Sequence, residues 1–327
     1  MKKVLSLILA LAMVFALAAC GEKQPSNDGN TDGDKSARGN VIMTFGTADT
    51  GGSMYPAGAA VSQVWTNNVE GVKCNTQTST GSFQNCQDVS TGEVDVAVAT
   101  SDVVLNAYNG TGKFADIGKL DNLRVIGAVY TSVLSGVALK SSGLTYIHDL
   151  LGKRVAVGPA ASATENATLA AFDAMGIDSS NTSLENLGLG DGADSVGDGI
   201  LDAAFGFAGL PIGGQLNLAA TKEIQVLDMT QEEIDKVLAG NAAYIQTKIP
   251  AGTYTGQDND ANTFGVKCLI IVTADMDADL VYDLCKAMNE HTEEMAAGNA
   301  LLKDMTDPSF LCTQMPIPLH DGAQKYY

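Results

Sequence analysis

From residue 41 onward, short apolar runs alternate with stretches whose apolar residues recur at helical spacing. Val41–Thr47 reads as a strand. Pro56–Asn68 reads as a helix, with Val61, Val64 and Trp65 on one face and Pro56 suited to the first turn. Val72–Thr78 is a second strand, Ser82–Thr91 a helix stopped by Gly92, Asp95–Thr100 a third strand and Val103–Asn109 a short helix. A polar loop over 109–122 precedes two apolar strands, Arg124–Val129 and Val133–Leu139. A second series then begins: strand Lys153–Val157, helix Thr164–Met175, helix Ala193–Asp198, strand Ala203–Phe207, helix Pro211–Ala220, strand Ile224–Leu227 and helix Gln231–Ala239. After a Gly- and Asp-rich loop at 251–262, Val266–Thr273 is a long apolar strand and Asp279–His291 the helix behind it.

Strands alternating with helices predict an α/β fold with parallel sheets flanked by helices. Two such series joined by crossing strands make a two-lobed clamp, and the strand Val266–Thr273 is expected to return to the first lobe's sheet. The boundaries fall at 40–129 for the first part of lobe I, 130–245 for lobe II, and 246–327 for the return and C-terminal helices. Strand ends and helix starts converge on the cleft between the lobes, the expected place for a ligand.

The start of the chain is of another kind. Lys2 and Lys3 precede an apolar run from Val4 to Ala19, too short for a bilayer span and followed by polar sequence. Residues 1–19 therefore read as a signal peptide, and Leu17-Ala18-Ala19-Cys20 looks like a lipobox whose cysteine is acylated. Residues 20–39, rich in Gly, Ser, Asn and Asp, predict a flexible lipid-anchored tether. An extracytoplasmic domain anchored at Cys20 is the expectation.

The net charge is −19, and −21 once Lys2 and Lys3 leave with the signal peptide. Such a surface repels nucleic acid and leaves an anionic ligand to be held by a local, shielded site. Apart from Cys20, the cysteines are Cys74, Cys86, Cys268, Cys285 and Cys312. Cys74 with Cys86, or Cys268 with Cys285, are pairs open to oxidation, and buried free thiols are the alternative. No CxxC occurs, and His148, His291 and His320 are far apart in sequence. No metal, cofactor or catalytic set is expected, and acidic pairs such as Glu232-Glu233 read as solvated helix faces.

Chemistry concentrates in small-residue loops at strand-to-helix junctions. In TADTGGSMYP, Thr47–Pro56, Gly51 and Gly52 permit close backbone approach, Thr50 and Ser53 carry hydroxyls, and a helix start lies behind them. STGSFQN at Ser79–Asn85 and ATSD at Ala99–Asp102 repeat that arrangement, and GPAASAT at Gly158–Thr164 supplies it from the second series. Converging amides and hydroxyls suit a small anion. No GxxxxGK[ST] is present and no lysine stands in these loops, which excludes a nucleotide site of that kind.

Four blocks resemble a known family: FGTADTGGSMYP at Phe45–Pro56, TGSFQNCQDVSTGEVDVAVATSD at Thr80–Asp102, LLGKRVAVGPAASAT at Leu150–Thr164 and IPAGTYTGQD at Ile249–Asp258. They are similar to the TAXI solute receptors of TRAP transporters (tripartite ATP-independent periplasmic transporters). The resemblance implies a type II periplasmic-binding-protein fold with two hinge strands. It also implies a non-enzymatic, monomeric receptor for a glutamate- or 2-oxoglutarate-like acid, passed to TRAP-type membrane permease subunits. A lipoprotein sensing the ligand for a membrane receptor is the alternative. Carried over position by position, the resemblance implies ligand contacts at Thr50, Gly51, Gly52, Ser53, Tyr55, Thr80, Gly81, Ser82, Asn85, Ser101, Ser162 and Thr164. The chain departs from the family pattern at Ala160-Ala161-Ser162-Ala163, where more glycine is usual, at Leu210 and at Tyr130-Thr131-Ser132. Outside the tether residue Arg38, an arginine clamp is limited to Arg124 or Arg154.

Overall fold

A computed structural model describes residues 39–327. The expected signal peptide, Cys20 and the expected tether up to residue 38 lie outside the described residues. Ten strands join in one mixed sheet whose main order is β2-β1-β3-β10-β4-β7-β5-β6. The strands are β1 (Val41–Gly46), β2 (Val72–Gln77), β3 (Val96–Thr100), β4 (Leu123–Leu139), β5 (Arg154–Ala156), β6 (Ser183–Glu185), β7 (Ala203–Ala208), β8 (Ile224–Val226), β9 (Ile245–Ile249) and β10 (Ala261–Thr273). β1, β2 and β3 run parallel, as do β5, β6 and β7, so each end of the sheet is a parallel lobe.

Helices cover both faces. α1 (Met54–Asn68), α2 (Ser82–Thr91) and α3 (Ser101–Asn109) follow the first three strands. α4 (Ala163–Ala174), α5 (Leu189–Gly197), α6 (Gly213–Thr221) and α7 (Gln231–Gly240) belong to the second lobe. α8 (Ala278–Glu290) and shorter C-terminal helices return to the first. Parallel strands buried on both faces must be apolar throughout, and all five residues of β3, VAVAT, are buried. On one face Trp65 stacks on Phe45 at 5.5 Å and donates Nε1–H to Leu284 O at 3.0 Å, fastening α1 to α8. Local chemistry sets the helix ends. Gly92 closes α2 in the left-handed region, Asp277 caps α8, and Thr230 and Glu233 form a capping box on α7.

The lobes are joined by β4 and β10. The two strands expected at Arg124–Val129 and Val133–Leu139 are one strand of 17 residues. Tyr130-Thr131-Ser132 breaks the apolar pattern, yet Tyr130 and Ser132 are fully buried where the sheet passes from one lobe to the other. There β4 pairs antiparallel with β10 from Leu123↔Thr273 to Val133↔Gly265. Beyond that point β4 pairs with β7 and β8, while β10 pairs with β9 on one side of the junction and β3 on the other. The last strand thus returns to the first lobe as expected. β6 and β9 were not anticipated.

All five cysteines among the described residues are free, and four are buried. Burial pushes the Cys268 and Cys285 thiols up to about 12, which leaves them unreactive at neutral pH. The Glu232-Glu233 pair is not simply a solvated face. Glu233 is buried, accepts from Thr230 N at 2.7 Å and lies 2.7 Å from His148 Nδ1.

Gly265 sits where β4 and β10 approach most closely: a Cβ there would meet Ser132 O at 2.4 Å. Gly265→Ala should destabilise the fold by about 1–3 kcal/mol, the usual cost of overpacking. Urea unfolding with an unchanged midpoint would show that the junction yields freely.

Candidate ligand site

Three helices begin at one place. The N-termini of α1 and α2 from the first lobe and α4 from the second border a small, partly open pocket of about 30 Å³, which the first residue of α5, Leu189, also lines. A void that size holds a water or two, against roughly 300 Å³ or more for a typical ligand pocket. As it stands the pocket is too small for a ligand of ordinary size. Beside it lies an open groove of about 1540 Å³ that also borders Gly52 and Ser53, with Thr131 and Val133 of the lobe junction among its walls.

The expected residues divide between these spaces. Gly52, Ser53, Thr80, Gly81, Ser82, Ser162 and Thr164 line the cavity. Thr50 and Tyr55 line the groove. Gly51, Asn85 and Ser101 line neither. Asn85 is buried, and Nδ2 donates to Thr47 O at 2.6 Å and Val98 O at 2.7 Å, while Oδ1 accepts from Ser79 Oγ at 2.7 Å. Both amide hydrogens are committed. The side chain bolts the outgoing ends of β1 and β3 to the 79–81 loop and has no donor left for a ligand in this conformation.

The cavity hydroxyls are held by the backbone. Ser82 Oγ accepts from Thr100 N at 3.1 Å, Ser162 Oγ from Glu165 N at 3.1 Å as the α4 cap, and Thr164 Oγ1 from Phe207 N at 3.1 Å. Accepting a bond fixes each oxygen without using its own O–H, so all three keep a hydrogen to offer. Ser53 differs. It makes no capping bond to α1 and donates instead to Gly209 O of the other lobe at 2.8 Å.

The lobes meet at close quarters. A Cβ on Gly81 would lie 3.4 Å from Ser162 Cβ, one on Gly51 would lie 3.3 Å from Gly190 N, and one on Gly213 would lie 3.3 Å from Gly51 O. Lys113 of the first lobe pairs with Glu165 at the start of α4. The same Glu165 carboxylate accepts from Ala161 N at 2.8 Å. Ala161 has φ of 59°, where a side chain costs about 1 kcal/mol or more, which is why glycine would suit this loop. Neither arginine makes a clamp. Arg124 donates to Asp121 O and Leu123 O, and Arg154 pairs with Asp202.

Two further features lay inside quoted motifs but were not singled out. Tyr254, in the IPAGTYTGQD block, is buried; its hydroxyl accepts from Ile212 N at 3.1 Å and donates to Gln215 Oε1 at 2.8 Å. That block therefore has a structural role in seating α6. Asp102, beside Ser101, is fully buried; its Oδ2 accepts from Asn166 Nδ2 at 2.9 Å and Tyr244 Oη at 3.2 Å, both from the second lobe.

Residues 45–327 match the NMT1-like family. The chain belongs to that family. Among solved structures it is similar to the alkanesulfonate-binding protein SsuA from Xanthomonas axonopodis pv. citri bound to MOPS. The identity is 14%, over 89% of this chain and 84% of that one, with a TM-score of 0.50. It is also similar to an ancestral arginine-binding protein bound to arginine, at 11% identity, 84% and 99% coverage and a TM-score of 0.49. The amino acid ABC transporter substrate-binding protein AbpA from Streptococcus pneumoniae Canada MDR_19A, bound to L-arginine, matches at 14% identity, 83% and 96% coverage and 0.47. At these identities the shared property is the fold, the type II periplasmic-binding-protein arrangement of two α/β lobes on two long strands. Membership of the NMT1-like family leaves the TAXI assignment as an expectation.

Asp102 links protonation to this architecture. Burial pushes its carboxyl above the ordinary value of 3.8, against the pull of Tyr244 and Asn166. The folded protein therefore holds a proton that the unfolded chain releases, and Asp102's contribution to stability falls as pH rises from 3.8 through its raised value. Asp102→Asn should gain melting temperature relative to wild type as pH is raised upward from about 4, the side on which the buried carboxyl must ionise. Parallel melting curves for the two proteins across that range would contradict this.

Proposed function

We propose that the protein is an extracytoplasmic solute receptor that closes its lobes on a small organic acid and delivers it to a TRAP-type membrane permease. What carries the reading is the meeting of three helix N-termini, from both lobes, around one small pocket. Free amides at helix starts favour an anion by roughly 0.3–1 kcal/mol per charge, and more where water is excluded. Ser82, Ser162 and Thr164 add oriented hydroxyls. The similar solved structure with a TM-score of 0.50 is named as an alkanesulfonate-binding protein, which fits a solute receptor. The four TAXI-like sequence blocks point to the TRAP partner and a carboxylate ligand.

On this reading Gly52, Ser53, Thr80–Ser82, Ser162 and Thr164 hold the ligand, and Thr50 and Tyr55 shape the approach to it. Asn85 positions the donors. Cys20 carries the lipid, and the tether to residue 39 lets the receptor reach its permease.

A thermal-shift screen of small carboxylates tests the proposal. A ligand at a hundred times its dissociation constant adds about 2.7 kcal/mol of stability. Ser82→Ala should then weaken binding of the best acid by about 1.5–3 kcal/mol, the range for a hydrogen bond to a charged group, as read by calorimetric titration. Small-angle scattering should show the ligand-free protein contracting when that acid is added. No stabilisation by any acid, or a Ser82→Ala variant of wild-type affinity, would remove this site.

A further inference from the structure

The proposed carboxylate site contains one charged side chain, and it is negative. Among the residues lining the cavity, Asp49 alone is ionisable; no Lys, Arg or His is there. The nearby Lys113 is held by Glu165. Asp49 is fixed rather than swinging in solvent, because its Oδ1 accepts from Gly51 N at 2.6 Å. The other oxygen looks across to the second lobe: a Cβ on Gly188 would come within 2.8 Å of Oδ2. Gly188 adjoins Leu189, itself a wall of the cavity. No donor among the described residues is bonded to Oδ2.

A dicarboxylate fits this poorly. One of its ends would take the helix-start amides and the Ser82, Ser162 and Thr164 hydroxyls. The other would have no cation to pair with and would face Asp49, whose like charge repels it. A ligand with one carboxylate and one ammonium group satisfies both ends. The anion meets the amides and the cation meets Asp49 Oδ2 by a charge-assisted hydrogen bond. We propose that Asp49 is the specificity-determining residue of the site: by accepting the ligand's ammonium group, it selects an acid that carries an ammonium group over one that lacks it. This rests on the cavity being the carboxylate site proposed above.

Matched pairs test it. Calorimetric titration of the full mature chain with proteinogenic amino acids and counterparts lacking the ammonium group, L-alanine with propionate and L-glutamate with glutarate among them, should favour the amino acid in the bound pair by roughly tenfold or more. Asp49→Asn keeps a carbonyl oxygen for Gly51 N and so should still fold. In that variant amino-acid affinity should fall by a similar factor, while the ammonium-free acid binds as well as before or better. The wild-type comparison stands even if the variant proves unstable. If acids bind with no preference for the ammonium group, or the variant keeps the preference, the inference fails and the carboxylate receptor survives. If no compound of either kind binds, the receptor reading fails and this inference goes with it.

Discussion

The antiparallel pairing of β4 with β10 is the contact on which the other arrangements depend. From Leu123↔Thr273 to Val133↔Gly265 it is the middle of the sheet, and each lobe hangs from one end of the same two strands. Backbone pairing buried on both sides is costly to break, because every freed N–H and C=O would lose its partner away from water. The sheet can twist there more cheaply than it can come apart. Two shifts of register, between Cys268 and Leu269 and between Ile270 and Ile271, lie within the first-lobe portion of that pairing. Any relative motion of the lobes would have to bend the sheet about the junction, carrying the loops at the strand ends with it.

Much of this was legible in the sequence because helical spacing, fully apolar strand runs and glycine stops are local signals. DVAVAT gave a buried strand, and Gly92 the end of a helix. What was missed depended on tertiary context. Tyr130 and Ser132 look like a break in an apolar pattern, yet both are buried at the lobe junction, where neither hydroxyl has a hydrogen-bond partner among the described residues. β9, IQTKI, alternates weakly and is called into being by its pairing with β10. Within the site, sequence located the loops but could not tell a hydroxyl that lines the cavity from an amide spent on the backbone. Ser82 and Asn85 are one helical turn apart, and only their partners separate them. Asp49 and Asp102 stood in plain view among small residues, and their surroundings, not their identity, make them notable.

Charge explains why the site takes this form. In a chain of net charge −19, a buried arginine or lysine would attract the protein's own carboxylates as readily as a ligand, and Lys113 and Arg154 are indeed taken up by Glu165 and Asp202. Amides at helix starts attract an anion without that competition. They are part of the backbone, are oriented before any ligand arrives, and need no counter-ion.

The glycines where the lobes touch give closure a particular thermodynamic character. Gly51 faces Gly190 and Gly213, and Gly81 faces Ser162, so the seam is largely backbone against backbone. Side chains that freeze on contact each forfeit rotational freedom worth up to about 2 kcal/mol, and glycine forfeits none. Contact at these glycines therefore costs little side-chain entropy, and the cost falls on the few side chains that pair across the seam, such as Lys113 with Glu165 and Asp102 with Asn166 and Tyr244. The open and shut forms can lie near one another in free energy, and a ligand with few atoms has enough interaction to decide between them.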